Sequence, residues 1–126
     1  MSIATDDVTA ETLKAVNRFN EAFNRHDVDE IMARMTEDCV FESTSPPDGE
    51  RFEGQAAVRA CWESFFQSSP NAYFEGLDII PAGDRCTVPW LYRWTREDGT
   101  QGHIRGVDVL RVRDGKIAEK LAFVKG

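Results

Sequence analysis

The dipeptide Asp114-Gly115 lies between two runs of residues in which apolar and polar side chains alternate. Asp-Gly favours a two-residue turn with positive φ, which joins neighbouring antiparallel strands directly. Two further alternating runs precede this pair, and the breaks between runs again hold glycine beside aspartate. The four runs lie at about residues 72–80, 85–96, 102–113 and 116–124. The second half of the chain therefore predicts a four-stranded antiparallel meander.

The first half of the chain repeats apolar residues every three to four positions, which is the spacing of amphipathic helices. We expect a first helix over about residues 9–25, capped by Thr9. Its apolar stripe consists of Leu13, Val16, Phe19 and Phe23. Asp27 and Glu30 resemble a capping box and predict a second helix within residues 26–35. A third helix is expected at about residues 55–67. Its buried side chains are Val58, Trp62 and Phe65 or Phe66.

A short strand, DCVFES, and a loop, TSPPDGERFEG, separate the second and third helices. The loop follows from Pro46-Pro47 and Asp48-Gly49, which interrupt regular structure. Three helices and one early strand, followed by a meander, predict an α+β domain whose bent sheet wraps around the helices. A chain of 126 residues fits one domain over residues 1–126. Within it we expect residues 1–8 to be flexible.

The charge of the chain narrows the choice of partners. The net charge is −7, and no run of Lys or Arg occurs. Nucleic acids and anionic membranes attract clustered basic side chains, so neither is expected as a partner. No stretch approaches the roughly 18 apolar residues of a membrane span. The N-terminal sequence MSIATDDVTAETLK lacks the basic and apolar regions of an export signal. We therefore expect a cytoplasmic protein whose partner is a small molecule or another protein.

Cysteine and histidine give no metal motif. Cys39, Cys61 and Cys86 stand far apart without CxxC spacing and are interpreted as reduced core thiols. His26 and His103 belong to no ligand pattern, so no His/Cys metal site is expected, while magnesium binding by carboxylates alone stays open. GxSxG and glycine-rich phosphate motifs do not occur. We expect no cofactor and no covalent hydrolase mechanism.

Asp108 interrupts an otherwise apolar face of the third predicted strand. With alternate side chains pointing inward, that face consists of Ile104, Gly106, Asp108, Leu110 and Val112. A buried carboxylate is destabilising unless it is paired or protonated. One interpretation is a carboxyl group with a raised pKa that donates a proton or a hydrogen bond inside a cavity. The other is a structural aspartate paired with Arg, Tyr or Trp, or an exposed one if a bulge at Gly106 reverses the alternation.

The second predicted strand of the meander carries an aromatic face. Its inward candidates are Cys86, Val88, Trp90, Tyr92 and Trp94. Helix residues add Phe19, Phe23, Trp62 and Phe66. Together these rings line an apolar cavity or, in the alternative interpretation, only fill the core.

Three blocks of the sequence resemble a known superfamily. FNRHDVDEIMARMTEDCVFES, FEGQAAVRACWESFF and GVDVLRVRDGKIAEKLAFVKG resemble, in order and spacing, nuclear transport factor 2-like proteins, and among them the SnoaL-like and ketosteroid isomerase-like small proteins. The resemblance covers nearly the whole chain. It implies a cone-shaped α+β barrel, with a strongly bent, mainly antiparallel sheet around three N-terminal helices and a pocket at the wide end. It also implies a homodimer formed through the outer face of the sheet.

The resemblance also assigns roles to individual positions. Ketosteroid isomerases use a tyrosine on the first helix, an aspartate base at the end of the first strand and a protonated aspartate on a late strand. The late aspartate corresponds to Asp108, whereas the tyrosine corresponds to Phe19 and the base to Ser43, so standard ketosteroid isomerisation is not expected. The last-strand carboxylate of related cyclases and epoxide hydrolases falls near Ala122. Glu42 is the alternative base if the register of the first strand differs.

These observations predict an apolar pocket for a hydrophobic, oxygen-bearing small molecule. The predicted lining consists of Phe19, Phe23, Met35, Ser43, Trp62, Phe66, Trp90, Tyr92 and Trp94. As an enzyme, the protein would be a cofactor-independent isomerase or lyase with Asp108 as general acid or oxyanion donor. The alternative is a non-catalytic module that binds a small molecule or forms a dimeric interaction surface.

Overall fold

The structure, a computed structural model, describes residues 3–125, with side chains from Asp7 onward. The helices in this part of the chain are α1 (Ile3–Asn24), α2 (Val28–Ala33) and α3 (Gln55–Ser68). The strands are β1 (Met35–Glu42), β2 (Arg51–Glu53), β3 (Phe74–Gly76), β4 (Ile80–Ala82), β5 (Arg85–Thr95), β6 (Gln101–Arg113) and β7 (Lys116–Val124). None of these helices combines the length and the apolar character needed to cross a membrane.

All described strands belong to one curved sheet. Its order is β2-β1-β7-β6-β5-β3, with β4 also pairing β5. Every neighbouring pair is antiparallel except β1 and β7, which are parallel. The sheet stays open between its outer strands rather than closing on itself, and its inner face packs against the helices. The predicted cone-like α+β fold is confirmed.

The first helix begins earlier than the sequence predicts. Thr9 does not cap it, because α1 already runs from Ile3. Instead the Thr9 hydroxyl accepts a hydrogen bond from Gly83 N at 3.0 Å, and the Thr12 hydroxyl donates to Gly83 O at 2.7 Å. These bonds fix the helix to the turn between β4 and β5. The predicted flexibility of residues 1–8 stays a prediction.

The predicted cap of the second helix is confirmed. The Asp27 side chain accepts a hydrogen bond from Glu30 N at 3.1 Å, which satisfies one of the free amides at the start of α2. His26 adopts a φ of 58° beside it, stacks on Phe66 and lies 2.6 Å from the carbonyl of Ala72 through Nε2. These contacts give His26 and Asp27 structural roles at the start of the helix.

Two strand boundaries also differ from the prediction. The run at 72–80 forms two short strands, since β3 pairs with β5 at Trp90–Tyr92 and β4 pairs with β5 at Arg85–Thr87. Between them Leu77 N donates to Pro89 O at 2.8 Å, but proline has no N–H to return the bond, so the ladder is interrupted there. The predicted loop at 44–54 contains β2, which pairs with the end of β1.

The hairpin of β6 and β7 has the predicted turn and, in addition, a β-bulge that the sequence of the turn does not indicate. Asp114 and Gly115 have φ values of 54° and 74°. The pairing begins at Arg113↔Lys116 and Val112↔Ile117, and then shifts so that Arg111 faces Glu119. Ala118 is therefore an extra residue in β7, a β-bulge. Beyond it Leu110 faces Lys120 and Asp108 faces Ala122.

Candidate functional site

Asp108 lies in the middle of β6 on the inner face of the sheet, as the alternation predicts. Its neighbours across the strands are Val88 and Ala122, and the residue is only 8% exposed. Trp90 Nε1 donates a hydrogen bond to Asp108 Oδ1 at 3.0 Å. The polar edge of the tryptophan thus points at the carboxylate while its ring packs among apolar groups.

Lys120 is the partner that the sequence prediction missed. Because of the bulge at Ala118, it points to the inner face, where it is 7% exposed and its Nζ lies 3.6 Å from Asp108 Oδ2. Four aromatic rings surround Nζ. Their centroids lie at 4.4 Å for Phe23, 5.4 Å for Phe19, 5.4 Å for Phe41 and 5.5 Å for Trp62. Such ring faces stabilise a cation by their quadrupoles.

The environment of Asp108 shifts its protonation equilibrium toward the neutral form. Burial raises the pKa of its carboxyl group above the ordinary value of 3.8, and this effect exceeds the opposing effects of the Lys120 charge and the Trp90 hydrogen bond. A carboxyl group in such a site exchanges its proton nearer neutral pH than an exposed aspartate does.

Two adjacent pockets meet at this pair. Both are lined by Phe23, Phe74, Trp90, Asp108 and Lys120. One, the asparagine pocket, has a volume of about 210 Å³ and is bordered by Asn17, Asn20 and Asn24 of α1. The other, the aromatic pocket, has a volume of about 200 Å³ and is bordered by Phe41, Trp62 and Phe65. A ligand in either pocket therefore contacts the same wall, which contains the Asp108–Lys120 pair.

Five of the ten residues predicted for the site line these pockets, and five do not. Asp108, Phe23 and Trp90 line both, and Trp62 and Ser43 line the aromatic pocket. Phe19, Met35 and Phe66 are buried in the core and line neither. Phe19 still lies against Nζ of Lys120, so it shapes the wall from behind.

Tyr92 and Trp94 lie outside the two pockets, although the ring of Tyr92 packs against Phe74 of their shared wall, with a centroid distance of 4.7 Å. Both line a groove with residues 68–72, near the end of β5. Trp94 has the predicted parity, but it is 38% exposed, and its ring lies over Gly102 of the neighbouring strand. A side chain at Gly102 would collide with this ring, so the glycine makes room for it.

The two positions considered for a general base supply none. The Ser43 hydroxyl accepts a hydrogen bond from Glu50 N at 3.0 Å and thereby orders the following loop. Glu42 forms a 3.5 Å ion pair with Arg51 and lines neither pocket. In the described part of the chain, the ionisable pair at the junction of the pockets is Asp108 and Lys120.

The thiols and carboxylates of the described side chains give no metal centre. Within residues 7–125 no three His, Cys, Asp or Glu side chains cluster as a metal site would require. Cys39 and Cys86 are buried, and Cys61 is half-buried on the wall of the aromatic pocket. Burial raises the pKa of the Cys61 thiol, which makes it a weak nucleophile.

Comparison with known proteins places the chain in a family. Residues 16–120 match the SnoaL-like domain. No curated protein sequence matches the chain at a significant level. An NTF2-like protein of unknown function from Mesorhizobium loti is 37% identical, with 94% of this chain and 93% of that chain covered and a TM-score of 0.78.

Two more distant structures show the same fold. A candidate SnoaL-like polyketide cyclase from Jannaschia sp. CCS1 is 16% identical, with 94% of this chain and 88% of that chain covered and a TM-score of 0.80. TerC, which was co-crystallised with polyporic acid, is 19% identical, with 91% of this chain and 92% of that chain covered and a TM-score of 0.73. This chain belongs to the SnoaL-like domain family of the NTF2-like superfamily.

Proposed function

We propose that the protein binds a small hydrophobic molecule with an oxygen function and catalyses a cofactor-independent proton transfer on it, of the isomerase or lyase type. The observation that carries the proposal is the position of Asp108. It is a buried carboxyl group on the wall shared by two pockets, with Lys120 beside it. Ligand sites commonly combine an apolar lining with a few converging polar groups, and titratable groups perturbed by burial are frequent among catalytic residues.

Asp108 acts as the general acid or oxyanion donor. Its raised pKa keeps a proton available at a higher pH than an exposed aspartate would, and the apolar walls strengthen the hydrogen bond that this proton makes to a ligand oxygen. Phe23, Phe74 and Trp90 supply the surrounding apolar surface. Standard ketosteroid isomerisation does not fit, since Phe19 has no hydroxyl group and Ser43 is no base.

Relatives of the same fold are consistent with a ligand-binding pocket. TerC was crystallised with polyporic acid, and the protein from Jannaschia is named as a candidate polyketide cyclase. At 19% and 16% identity these proteins support the fold, so the ligand class proposed for this chain rests on its own pocket walls.

One observation favours a non-catalytic alternative. Trp90 Nε1 donates a hydrogen bond to Oδ1 of Asp108, and Lys120 Nζ lies 3.6 Å from Oδ2. Groups of the chain itself therefore partly satisfy the hydrogen-bonding capacity of the carboxylate. In that case Asp108 and Lys120 orient a bound ligand or stabilise the sheet, and no bond is broken. The catalytic function requires the proton of Asp108 for turnover, whereas the non-catalytic function involves no turnover that its loss could stop.

Turnover and binding of a panel of enones, 1,3-dicarbonyl compounds and epoxides would test the proposal. Absorbance reports turnover, and quenching of Trp62 and Trp90 fluorescence reports binding. Asp108→Asn is expected to lower turnover by about 10²–10⁴-fold, because it removes the proton donor, and to leave binding largely intact. Asp78→Asn, an exposed aspartate, is the control and should change neither. Binding of panel compounds without turnover would favour the binding module, and absence of any binding would contradict both functions.

A further inference from the structure

The ammonium group of Lys120 is buried without a full set of partners. An ammonium group has three donors. Among the described residues Nζ has no hydrogen-bond partner within 3.5 Å, and its carboxylate partner, Asp108 Oδ2, lies at 3.6 Å, which is longer than a charge-assisted hydrogen bond. The side chain is nevertheless only 9% exposed. Unused donors on a buried cation indicate room for an acceptor that the chain does not provide.

The walls of both pockets direct an acceptor toward this group. Lys120 lines the asparagine pocket and the aromatic pocket alike. The rings of Phe23, Phe41 and Trp62 contact its other sides and contribute no hydrogen-bond acceptor comparable to an oxygen. An oxygen at the junction of the pockets would therefore meet Nζ directly, with the rest of an apolar ligand against the rings.

We infer that Lys120 binds the ligand oxygen as an oxyanion while Asp108 takes the proton that the ligand releases. This inference rests on the proposed function and names its ligand class: hydrophobic phenols, enols and enolisable carbonyl compounds. In the step, the O–H bond or the C–H bond next to a carbonyl breaks, and its electron pair stays on the ligand as phenolate or enolate. The proton moves to the Asp108 carboxylate, so the net charge of the site does not change.

This assignment also accounts for the missing base. Ser43 and Glu42 do not serve, but the carboxylate 3.6 Å from Nζ does. In the proposed reaction Asp108 therefore first accepts a proton from the ligand and then donates that proton back. A carboxylate whose protonated form is favoured by burial is a stronger base than an exposed one, and the adjacent cation stabilises the enolate in a water-poor site.

The other titratable groups of the pocket walls cannot supply a positive charge to the ligand oxyanion. They are Cys61, from α3, and Tyr73, which precedes β3. Neither a thiol nor a phenol has a cationic form. The α1 contribution to the walls consists of Asn17, Asn20, Phe23 and Asn24, and β5 contributes Val88 and Trp90. Among the described residues that line the pockets, Lys120 is thus the cationic side chain.

A pair of matched probes tests the inference. 4-Nitrophenol is coloured as its anion, and 4-nitroanisole is its methyl ether, which cannot ionise. Binding to the folded chain should lower the pKa of 4-nitrophenol by at least about one unit, which means that the anion binds about tenfold more tightly than the neutral form. Absorbance during a pH titration of the saturated complex measures this shift. Lys120→Met should abolish it, and Lys116→Met, an exposed lysine of the same strand, should preserve it.

Each result decides between the two proposals. If 4-nitroanisole binds and the pKa of bound 4-nitrophenol equals or exceeds that of the free probe, the pocket function stands and the role of Lys120 is wrong. If neither probe binds, both proposals are wrong. If Lys120→Met does not fold, as circular dichroism would show, the titration of the unmodified chain still gives the answer, and Lys120→Arg, which keeps the charge, should retain a lowered pKa.

Discussion

The asparagine pocket and the aromatic pocket share one wall but have different residues on the opposite side. Amide groups of Asn17 and Asn20 border the first, and the rings of Phe41 and Phe65 border the second. Asn24 is already engaged, since its amide exchanges hydrogen bonds of 2.9 and 3.0 Å with the backbone of Phe74. A ligand that spans both pockets would therefore place a polar substituent on one side and a ring on the other, with its reacting oxygen at the Asp108–Lys120 pair.

The largest effect on stability should follow from removing the Trp62 ring, which forms a wall of the aromatic pocket. Trp62 is 2% exposed and packs against Phe19, Phe23 and Phe41. Trp62→Ala is expected to lower the free energy of unfolding by about 3–5 kcal/mol, because it creates a large cavity in the core. Urea denaturation measures the loss. Trp94→Ala, at an exposed tryptophan outside both pockets, should cost less than about 1 kcal/mol. Equal losses of stability in the two variants would contradict the conclusion that Trp62, unlike Trp94, belongs to the packed core.

A smaller effect should appear at the shared wall as a dependence of stability on pH. Burial raises the pKa of Asp108 in the folded chain, so the folded state holds its proton at pH values where the unfolded chain has lost it. The free energy of unfolding contributed by Asp108 is therefore complete below the unfolded pKa and falls as the pH rises toward the folded pKa.

Urea denaturation over a series of pH values checks this dependence. The slope that Asp108 contributes should vanish in Asp108→Asn and persist in Asp78→Asn, which alters an exposed aspartate. The same slope in all three proteins would show that the Asp108 carboxyl titrates in the folded chain as it does in the unfolded one.

The smallest effect should come from the asparagine pocket. Asn20 is half-buried on α1 at its border. Asn20→Ala should change the free energy of unfolding by no more than about 0.5 kcal/mol. It should weaken binding of 2,6-dihydroxynaphthalene relative to 2-naphthol by about 0.5–1.5 kcal/mol, the contribution of one hydrogen bond. Phe65→Ala, in the aromatic pocket, should weaken both naphthols alike. A reversed pattern would exchange the roles of the two pockets.

Asp108 could be predicted from the sequence, whereas Lys120 could not, and the reason is geometric. Alternation along β6 is unbroken from Asp108 to Val112, so the inward direction of the carboxylate follows from the period of a strand. Continuous pairing from the turn would have placed Leu121 opposite Asp108 and turned Lys120 outward. The bulge at Ala118 reverses this, and no residue type in KIAEKLAFV marks its position.

The other differences also arise from features beyond local pattern. Trp94 has the inward parity of Trp90, yet it is exposed near the end of β5, so parity alone does not ensure burial. The interruption between β3 and β4 depends on Pro89, which lies on a different strand. The helices and the hairpin turn, by contrast, follow from apolar spacing and from Asp-Gly, which act over a few residues. The homodimer through the outer face of the sheet stays a prediction.

The bulge at Ala118 makes the chemistry of the site a matter of strand pairing as well as residue identity. Deleting that one alanine would remove the bulge and make the ladder regular, with Leu110 still facing Lys120 and Asp108 still facing Ala122. Keeping the alanine but pairing it with Arg111 would instead place Leu121 opposite the carboxylate and turn the cation to the outer face of the sheet. A relative with the same number of residues in this hairpin and no bulge would therefore keep the lysine in its sequence and lose it from the pocket wall, so the lysines of two such chains correspond only where the strand pairing is the same.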